Sequence, residues 1–476
     1  MKPSRRSSLV SLGLTVLALA ATAATAAPAT AASGGDGADP APPKLTPCDL
    51  GMPRLFQCGH VTVPMRRADP SLGTTKVAFA VRTRSDRSRP PLATIFAMDG
   101  GPGYASTDTE YASSLVAALG PLLRRRDLVL FDERGTGRSE AIDCPGLQGG
   151  LVQEYIAVGE CANQLGPRYA GYTTAEAAED LEVVRRALGL GRIFFYGDSY
   201  GTLFGQAYAV RHEASLRGLI LDSSYPGTDD PYYRSIYPSS LQGLRITCRL
   251  APSCSGDPVA RLTRVARRFH TAHRSVDDLI SFLLQAAYLA PRSYLSLDDG
   301  LRRFLAGDPR RLNRLLVPGR AGYGDPTGFS YGLEIAVECN DYPLLWDPQA
   351  PIDERIHQLS AATSRMPRDY YAPFTRREYI LSSAARLTNC LAWPAPPAGG
   401  LEKPVPPGWR ASTSFPTLIL AGQVDNVTTV AEGREVEKRF PRSRFYVVPD
   451  RGHVSALYFP FRSPAVGVIR DFIASH

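Results

Sequence analysis

The sequence predicts an α/β fold, in which a mostly parallel β-sheet is flanked by helices and a mainly helical cap is inserted into the chain. Between residues 60 and 224, short apolar and β-branched runs alternate with helical patterns, as in parallel strands joined by helices. After Tyr225 the patterns become helical, and strand-like runs return only near Thr417. The sheet domain is therefore expected to comprise residues 33–225 and 409–476, with the cap at 226–408.

The individual elements follow from local patterns in chain order. An early strand is expected to begin at His60, and seven further strands are predicted at 77–83, 93–98, 127–131, 193–196, 218–221, 417–421 and 444–448. Helices are predicted at 174–188, 202–211 and 428–440 and after residue 465. The first of these has Thr173 as its N-cap, Glu176 placed to close a capping box and Gly189 just beyond its end. The tract 393–407 contains six prolines and is expected to connect the cap back to the sheet domain.

The first 32 residues have the pattern of a signal peptide. Lys2, Arg5 and Arg6 precede an apolar run at 9–20 and a small-residue tract that extends to Ala32. The apolar run is shorter than the roughly 20 residues that a membrane span needs. The sequence therefore predicts a secreted, extracellular protein with no stable membrane anchor, and the general and twin-arginine export routes both stay open.

The charge pattern argues against a nucleic-acid partner. The 54 Lys and Arg residues exceed the 46 Asp and Glu residues, which gives a formal net charge of +8. Most of the basic residues are arginines scattered along the chain, and the short clusters at 124–126 and 302–303 lack interleaved aromatic residues. We expect a monomer whose partner is its substrate, a peptide or a small ester.

The eight cysteines predict disulfides, because an even number of cysteines in an exported chain is typical of oxidised pairs. Close spacing along the chain favours the pairs Cys48–Cys58, Cys144–Cys161, Cys248–Cys254 and Cys339–Cys390. The cysteines form no C-x-x-C motif, and no histidine lies near Cys248 and Cys254 to complete a zinc site. Neither a metal nor an organic cofactor is therefore expected.

The segment 197–201, with the sequence Gly-Asp-Ser-Tyr-Gly, predicts a nucleophile elbow. It follows the buried strand predicted at 193–196 and precedes the helix predicted at 202–211, which is the context of a G-x-S-x-G motif in an α/β-hydrolase. Its glycines permit a sharp turn in which larger side chains would clash with neighbouring segments. Ser199 is therefore the candidate nucleophile, and the helix that follows brings its N-terminal amides close to the developing negative charge.

A serine nucleophile needs a general base and an acid that orients it. Of the seven histidines, only His453 lies in a loop just past a late strand, the one predicted at 444–448. Asp425 follows the strand predicted at 417–421, and it gives the chain order Ser, Asp, His that is typical of this fold. Asp222, at the end of an earlier strand, is the alternative acid, and we expect it instead to cap the entry to the cap domain.

Two backbone amides are expected to bind the oxyanion of the tetrahedral intermediate. Tyr200 supplies one of them, because it directly follows the nucleophile. The other is assigned to Gly100 or Gly101, in the glycine-rich turn 99–103 after the strand predicted at 93–98. This turn lacks the Lys-Ser/Thr ending of a phosphate-binding loop, so we read it as part of the same active site.

Four segments carry a family resemblance: Gly-Gly-Pro-Gly at 100–103, Asp-Glu-Arg-Gly-Thr-Gly-Arg-Ser at 132–139, the elbow at 197–201 and the Asp425/His453 pair. Together they resemble the proline iminopeptidase and tripeptidyl aminopeptidase family of α/β-hydrolases, most closely the exported tripeptidyl aminopeptidase-like branch of actinobacteria. The resemblance covers most of the mature chain. Asp132 and Arg134 are expected to form a structural pair that shapes the loop beside the site.

The resemblance implies cleavage from a free N-terminus, with carboxylates of the cap binding the substrate's α-ammonium group. The candidates are Glu334, Glu338 and Asp341, whose i, i+4, i+7 spacing would bring them to one helix face. Ordinary solvated charge accounts for this spacing nearly as well. The chain departs from the family at Asp99, where His or Pro usually precedes the glycines, and this residue adds a carboxylate at the mouth of the site.

These observations predict a secreted serine hydrolase, an aminopeptidase that releases short peptides or single residues through an acyl-enzyme on Ser199. A secreted esterase or lipase is the alternative, since the same triad hydrolyses esters and the cap decides what enters. A binding protein that has lost catalysis is a more remote alternative, and it would show a broken constellation of site residues.

Overall fold

The computed structural model describes residues 42–48, 55–150, 154–227, 234–316, 324–382, 385–457 and 463–476. The predicted signal peptide, residues 1–32, lies outside these ranges. Within them, no helix combines the length and the apolar character needed to cross a membrane.

A single mixed β-sheet forms the centre of the fold, and in the described ranges it has nine strands. The strands are β1 (Thr46–Pro47), β2 (Phe56–Pro64), β3 (Thr74–Arg82), β4 (Ile95–Met98), β5 (Leu128–Phe131), β6 (Ile193–Asp198), β7 (Leu216–Asp222), β8 (Thr417–Gly422) and β9 (Ser443–Val448). Their order across the sheet is β1-β2-β3-β5-β4-β6-β7-β8-β9. Strands β1 to β3 pair antiparallel, β3 pairs antiparallel with β5, and all pairings from β5 to β9 are parallel.

The seven strands predicted from 77 onwards correspond to β3 through β9, with ends shifted by at most three residues. The early strand predicted at His60 is β2, and it begins four residues sooner, at Phe56. The short edge strand β1 has no counterpart among the predictions, because two residues carry no periodicity.

Helices cover both faces of the sheet and form the cap. Those outside the cap are α1 (Thr109–Leu119), α2 (Pro145–Gln148), α3 (Glu154–Leu165), α4 (Thr174–Ala187), α5 (Tyr200–His212), α14 (Val430–Glu437) and α15 (Pro464–Ser475). Those between β7 and β8 are α6 (Ile236–Leu250), α7 (Pro258–Thr271), α8 (Asp277–Gln285), α9 (Arg292–Leu305), α10 (Arg310–Leu315), α11 (Tyr331–Asp341), α12 (Ile352–Ser364) and α13 (Arg376–Ile380).

The hydrophobic core has two layers, one on each face of the sheet. Successive residues of a strand point to opposite faces, so Phe194 packs with α1 and α15 while Phe195 packs with α4 and α5. The helices α6 to α9 enclose a third apolar cluster within the cap. Core and cap belong to one compact unit, Pro40–His476. The predicted α/β architecture, a mostly parallel sheet flanked by helices, is thus what the chain adopts.

Two predicted side-chain contacts, those of Glu176 and Arg134, were wrong. Thr173 caps α4 as predicted, but the carboxylate of Glu176 binds the backbone N–H and guanidinium of Arg67 rather than closing a capping box. Arg134 does not pair with Asp132. Its Nε and Nη2 each lie 2.7 Å from the carboxylate of Asp180, and both side chains are fully buried.

Asp132 shapes the loop beside the site in a different way. Its carboxylate accepts the N–H and hydroxyl of Thr107, at 2.9 and 2.7 Å, and the N–H of Arg138 at 3.0 Å. These contacts hold the segment after β5 against the turn that leads into α1.

The eight cysteines, all of which lie in the described ranges, form four disulfides: Cys48–Cys58, Cys144–Cys161, Cys248–Cys254 and Cys339–Cys390. These are the four pairs expected from their spacing. The last of them joins α11 to the end of the cap.

Candidate active site

Ser199 occupies a sharp turn between β6 and α5. Its φ of +49° lies in the left-handed region, which is strained for a serine. A Cβ on Gly197 would lie 2.1 Å from the carbonyl oxygen of Gly201, and a Cβ on Gly201 would lie 2.7 Å from the carbonyl oxygen of Met98. Only glycine fits at both positions, so the turn of the G-x-S-x-G motif is enforced by backbone crowding on either side of the serine.

The structure brings together the serine, histidine and aspartate that the sequence singled out. His453 Nε2 lies 2.8 Å from Ser199 Oγ, and His453 Nδ1 lies 3.0 Å from Asp425 Oδ2. An ionised carboxylate only accepts hydrogen bonds, so the imidazole proton resides on Nδ1 and leaves a lone pair on Nε2 for the serine hydroxyl. His453 and Asp425 are buried, whereas Ser199 is partly exposed and can be reached by a substrate.

Thr428 completes the surroundings of the acid, and it is not among the site residues predicted from the sequence. Asp425 Oδ1 accepts the N–H groups of Val427 and Thr428 at 2.9 and 3.1 Å, and Oδ2 accepts the Thr428 hydroxyl at 2.9 Å. Thr428 Oγ1 also lies 3.2 Å from His453 Nδ1. The carboxylate is thereby fixed from two sides. The signal in the sequence was an aspartate followed three residues later by a hydroxyl residue just before a predicted helix.

Asp222, the alternative acid, has no hydrogen bond to the imidazole. We expected it to cap the entry to the cap domain, and this prediction was wrong. Its carboxylate accepts the N–H and hydroxyl of Ser455, at 3.2 and 2.7 Å, and the N–H of Ala456 at 2.8 Å. Its backbone carbonyl accepts the N–H of Ser199 at 2.9 Å. Asp222 therefore anchors the segment that follows the histidine to the strand beside the nucleophile.

The glycine-rich turn runs directly against the nucleophile. A Cβ on Gly100 would lie 2.7 Å from the Cβ of Ser199. The N–H of Gly100 donates to the carboxylate of Asp99 at 2.7 Å, so the N–H of Gly101 remains as the candidate oxyanion donor in this turn. Tyr200 is the first residue of α5, where a backbone N–H has no acceptor within the helix. Burial raises the pKa of Asp99 to about 6.

The cap contributes to the position of the histidine. The N–H of His453 donates to the carbonyl of Ala287 at 3.1 Å, and a Cβ on Gly452 would lie 2.1 Å from that same oxygen. The ring of Tyr288 packs edge-on against the imidazole, with the centroids 5.1 Å apart. The cap segment 287–288 thus buttresses the base as well as covering the site.

Two carboxylates of α11 contact one guanidinium, and a third carboxylate, at the start of α3, lies nearby. We call this group of described side chains, Glu334, Glu338, Arg386 and Glu154, the acidic cluster. Arg386 Nη1 lies 2.7 Å from Glu334 Oε1 and 3.0 Å from Glu338 Oε1. Burial raises the pKa of Glu338 to about 8, against the lowering effect of Arg386, and the charges of Glu334 and Glu154 add to the rise. The cluster carries more carboxylates than its single cation neutralises.

Helix α11 joins the acidic cluster to the glycine-rich turn. Its N-cap residue, Ser330, donates its N–H to the carbonyl of Gly103 at 2.9 Å, and Phe329 packs on Tyr104 with ring centroids 4.5 Å apart. Glu334 stands in the first turn of this helix and is only 8% exposed. Its Oε2 has no hydrogen-bond partner in the part of the chain that the structure describes. A cationic group would satisfy this buried oxygen.

Asp341 does not join Glu334 and Glu338, although the helical spacing predicted a common face. It lies in the last turn of α11, where its carboxylate accepts the N–H and hydroxyl of Thr174 at 2.7 and 2.5 Å. The residue is 1% exposed. The start of α4 occupies Oδ2, whereas Oδ1 has no hydrogen-bond partner among the described residues. Because the carboxylate faces α4 and not the acidic cluster, its proposed part in ammonium binding is withdrawn.

Comparisons with known proteins identify the family of the chain. Residues 98–460 match the family model described as alpha/beta hydrolase fold. Over 448 residues the chain is 26% identical to the serine protease Hip1 of Mycobacterium tuberculosis, covering 82% of this chain and 81% of that protein. It is 25% identical over 448 residues to the tripeptidyl aminopeptidase of Streptomyces coelicolor, covering 85% and 78%. It is also 27% identical over 400 residues to carboxylesterase B of M. tuberculosis, covering 75% and 73%.

The family match extends over most of the chain and includes the elbow, the glycine-rich turn and the residues that follow β8 and β9. The relatives support the actinobacterial tripeptidyl aminopeptidase-like branch that the sequence motifs indicated. The chain belongs to the alpha/beta hydrolase fold family, and within it the chain is a serine hydrolase.

Proposed function

We propose that this protein is an exported serine aminopeptidase that cleaves short peptides from free N-termini. Ser199 acts as nucleophile, His453 as general base and then acid, and Asp425 as the group that fixes the imidazole. Tyr200 and Gly101 donate their amides to the oxyanion. The acidic cluster, through Glu334 and Glu338, binds the α-ammonium group of the substrate.

The hydrogen bonds of the site account for each chemical step. Ser199 Oγ attacks the scissile carbonyl carbon while its proton passes to His453 Nε2, and the carbonyl oxygen becomes the oxyanion. The imidazolium then gives that proton to the leaving amine as the C–N bond breaks. A water molecule attacks the acyl-enzyme, loses its proton to the same nitrogen, and Ser199 regains a proton as the acid product leaves. Asp425 stays ionised throughout and stabilises the imidazolium.

The buried and unpartnered oxygen of Glu334 is the observation that carries the proposed peptide specificity. Glu334 is buried, and it retains an unpartnered oxygen beside a guanidinium that it shares with Glu338. An unpaired polar atom in such surroundings costs free energy, and a bound ammonium group would remove that cost. A simple acyl ester such as p-nitrophenyl acetate offers no such cation. The names of the relatives from Mycobacterium and Streptomyces, a serine protease and a tripeptidyl aminopeptidase, support the same choice.

Export is proposed on two grounds. Residues 1–32 have the pattern of a signal peptide, and the eight cysteines form four disulfides, which persist in oxidising surroundings. An esterase remains the second candidate, because one relative is named carboxylesterase B and the triad chemistry would be the same.

The amine site is tested with matched pairs of substrates. Tripeptide p-nitroanilides with free and with acetylated N-termini are compared with p-nitrophenyl acyl esters on the wild type and on Glu334→Gln and Glu338→Gln. We expect Glu334→Gln to raise KM for the free-amine peptide about tenfold, in line with about 1.4 kcal/mol for one charged contact, and to leave KM for the ester unchanged. Glu338→Gln should have the smaller effect at pH 7, because a carboxyl with a pKa of about 8 is largely neutral there.

Glu354→Gln serves as the control, since this carboxylate lies on the exposed face of α12 in the cap. It should leave both substrates unaffected. Equal efficiency on free and acetylated peptides in the wild type would remove the aminopeptidase assignment. A preference for esters with no detectable peptide cleavage would favour the esterase. Ser199→Ala should lower kcat by about 10⁶ in either case.

A further inference from the structure

Tyr200, the residue that follows the nucleophile, belongs to a row of four hydrogen-bonded side chains. Tyr200 is fully buried, and its hydroxyl oxygen lies 2.8 Å from Thr174 Oγ1 and 2.7 Å from Glu133 Oε1. Thr174 Oγ1 lies in turn 2.5 Å from Asp341 Oδ2. Three oxygen-to-oxygen contacts therefore connect Glu133, Tyr200, Thr174 and Asp341 in a row.

The four residues come from four different parts of the fold. Thr174 and Tyr200 are the first residues of α4 and α5, Asp341 ends the cap helix α11, and Glu133 lies in the loop after β5. All four are at most 1% exposed. The row thus connects helix α11, which carries Glu334 and Glu338, to the elbow at Tyr200. The backbone N–H of Tyr200 is the one we propose as an oxyanion donor.

Counting protons identifies an uncharged carboxyl in this row. Each of the three contacts needs one proton, but Thr174 and Tyr200 supply only one hydroxyl proton each. The third must reside on one of the two carboxyl groups. Asp341 Oδ2 already accepts the N–H of Thr174 at 2.7 Å, which favours its ionised form. Among the described residues Glu133 has one hydrogen-bond contact, to the tyrosine, and receives no N–H, so the proton belongs on Glu133. Glu133 Oε2 and Asp341 Oδ1 both lack a partner there and do not distinguish the two carboxyls.

We propose that Glu133 is a positioning residue for the oxyanion site: as a neutral carboxylic acid it donates to the Tyr200 hydroxyl, which donates to Thr174, which donates to Asp341. This inference rests on the proposed role of the Tyr200 amide. When Glu133 loses its proton, two protons remain for three contacts, and one contact breaks. The side chain of Tyr200 is then held on one side only, next to a strained serine, and the adjacent amide loses its alignment.

The charged groups around the row agree with this assignment. Burial raises the pKa of Glu133 to about 8, Asp341 and Asp180 add to the rise, and Tyr200 and Arg134 act against it. The guanidinium of Arg134 is already paired with Asp180. Burial raises the pKa of Asp341 only to about 6, because it is opposed by the hydrogen bonds from Thr174 and by the charges of Lys403 and Arg211. At neutral pH Asp341 is thus the anion and Glu133 the acid.

The first test is the pH profile of kcat for p-nitrophenyl acetate, which has no amine and so does not depend on the acidic cluster. In the wild type we expect kcat to fall about tenfold above pH 8, less than the roughly 10²-fold effect of removing an oxyanion donor outright. Glu133→Gln keeps a donor toward Tyr200 and cannot ionise, so its kcat should stay flat over the same range. A fall of equal size in this variant would overturn the proposal.

Tyr200→Phe and Tyr208→Phe form a matched pair of variants. Tyr208 lies on the same helix, is fully buried, and donates its hydroxyl to Glu182 at 2.8 Å, but it is eight residues from Tyr200. Tyr200→Phe should lower kcat about tenfold with little change in KM, whereas Tyr208→Phe should leave kcat unchanged. Equal effects of the two substitutions would mean that the row has no link to the chemistry.

A second test needs no activity and therefore separates this proposal from the proposed function. A carboxyl whose pKa is 4.5 in the unfolded chain and about 8 in the fold releases its proton on unfolding between these values, so stability is lost as pH rises through that window. The unfolding constant of the wild type, divided by that of Glu133→Gln in urea titrations, should rise about tenfold per pH unit from pH 6 to 7.5. A constant ratio would overturn the assignment of the proton, even if the enzyme cleaved no peptide.

Discussion

Replacement of Asp425 by asparagine is expected to abolish most of the activity while preserving the fold. The geometry decides which way the new amide must face. Both Val427 and Thr428 donate their backbone N–H groups to Oδ1, at 2.9 and 3.1 Å, so that position must keep an oxygen. The amino group then takes the place of Oδ2, which lies 3.0 Å from His453 Nδ1.

An amino group at that position donates to Nδ1 and forces the imidazole proton onto Nε2. Nε2 lies 2.8 Å from Ser199 Oγ, and once protonated it has no lone pair to accept the serine proton. A reversed tautomer of this kind costs about 10⁴ in kcat, or about 5.5 kcal/mol of transition-state stabilisation. The hydroxyl of Thr428 can accept the second N–H of the amide, while its own proton loses the acceptor that Oδ2 supplied, at a cost of about 1 kcal/mol.

The measurement is kcat for p-nitrophenyl acetate and for a free-amine peptide, with a urea titration on the same sample. We expect kcat for both substrates to fall by about 10⁴ in Asp425→Asn and the midpoint of unfolding to stay close to that of the wild type. A kcat within tenfold of the wild type would refute the reasoning, because it would mean that Asp425 does not set the tautomer. A large loss of stability would refute the argument about the orientation of the amide.

Three further substitutions test the packing around the site. Gly201→Ala should destabilise the fold by at least about 3 kcal/mol, since its Cβ would lie 2.7 Å from a fixed carbonyl oxygen, and the urea midpoint should fall. Arg134→Lys should cost about 3 kcal/mol or more, because an ammonium cannot reproduce the two 2.7 Å contacts to Asp180 in a fully buried site. Replacing both Cys339 and Cys390 by serine should cost about 4 kcal/mol, the loop entropy of a bridge that spans 51 residues.

Each of these has an outcome that would contradict it. A glycine variant with wild-type stability would mean that the elbow can shift away from β4. A stable Arg134→Lys would mean that the buried ion pair is not the main partner of that guanidinium. If the double serine variant unfolded at the wild-type urea midpoint, the Cys339–Cys390 disulfide would not contribute to the stability of the fold.

Local patterns in the sequence predicted the strands and the turns of the site well, for a physical reason. The elbow and the glycine-rich turn are defined by residues adjacent in the chain, and the carboxyl ends of neighbouring parallel strands meet at one edge of the sheet. Placing Ser199 after β6, Asp425 after β8 and His453 after β9 therefore brought the three into one region. The spacing of the cysteines was informative for the same reason, because short loops close readily.

The partners of buried polar groups could not be read from the chain. Asp341 shares a helix with Glu334, but its spacing does not say that the start of α4 lies opposite it. Likewise nothing near Arg134 in the sequence points to Asp180, 46 residues further on. Periodicity tells which side of an element a residue occupies, whereas the group across from it depends on how the elements pack.

The contact between Ala287 and the 452–453 segment changes how this cap can be engineered. A cap joined to the sheet only through its two ends could be exchanged for another to alter substrate preference, with the catalytic geometry untouched. Here a carbonyl of the cap accepts the histidine's own N–H, and the glycine before it is pressed against the same oxygen. A chimaera made by swapping caps must therefore carry a compatible histidine loop with it, and selectivity and turnover in this protein will change together.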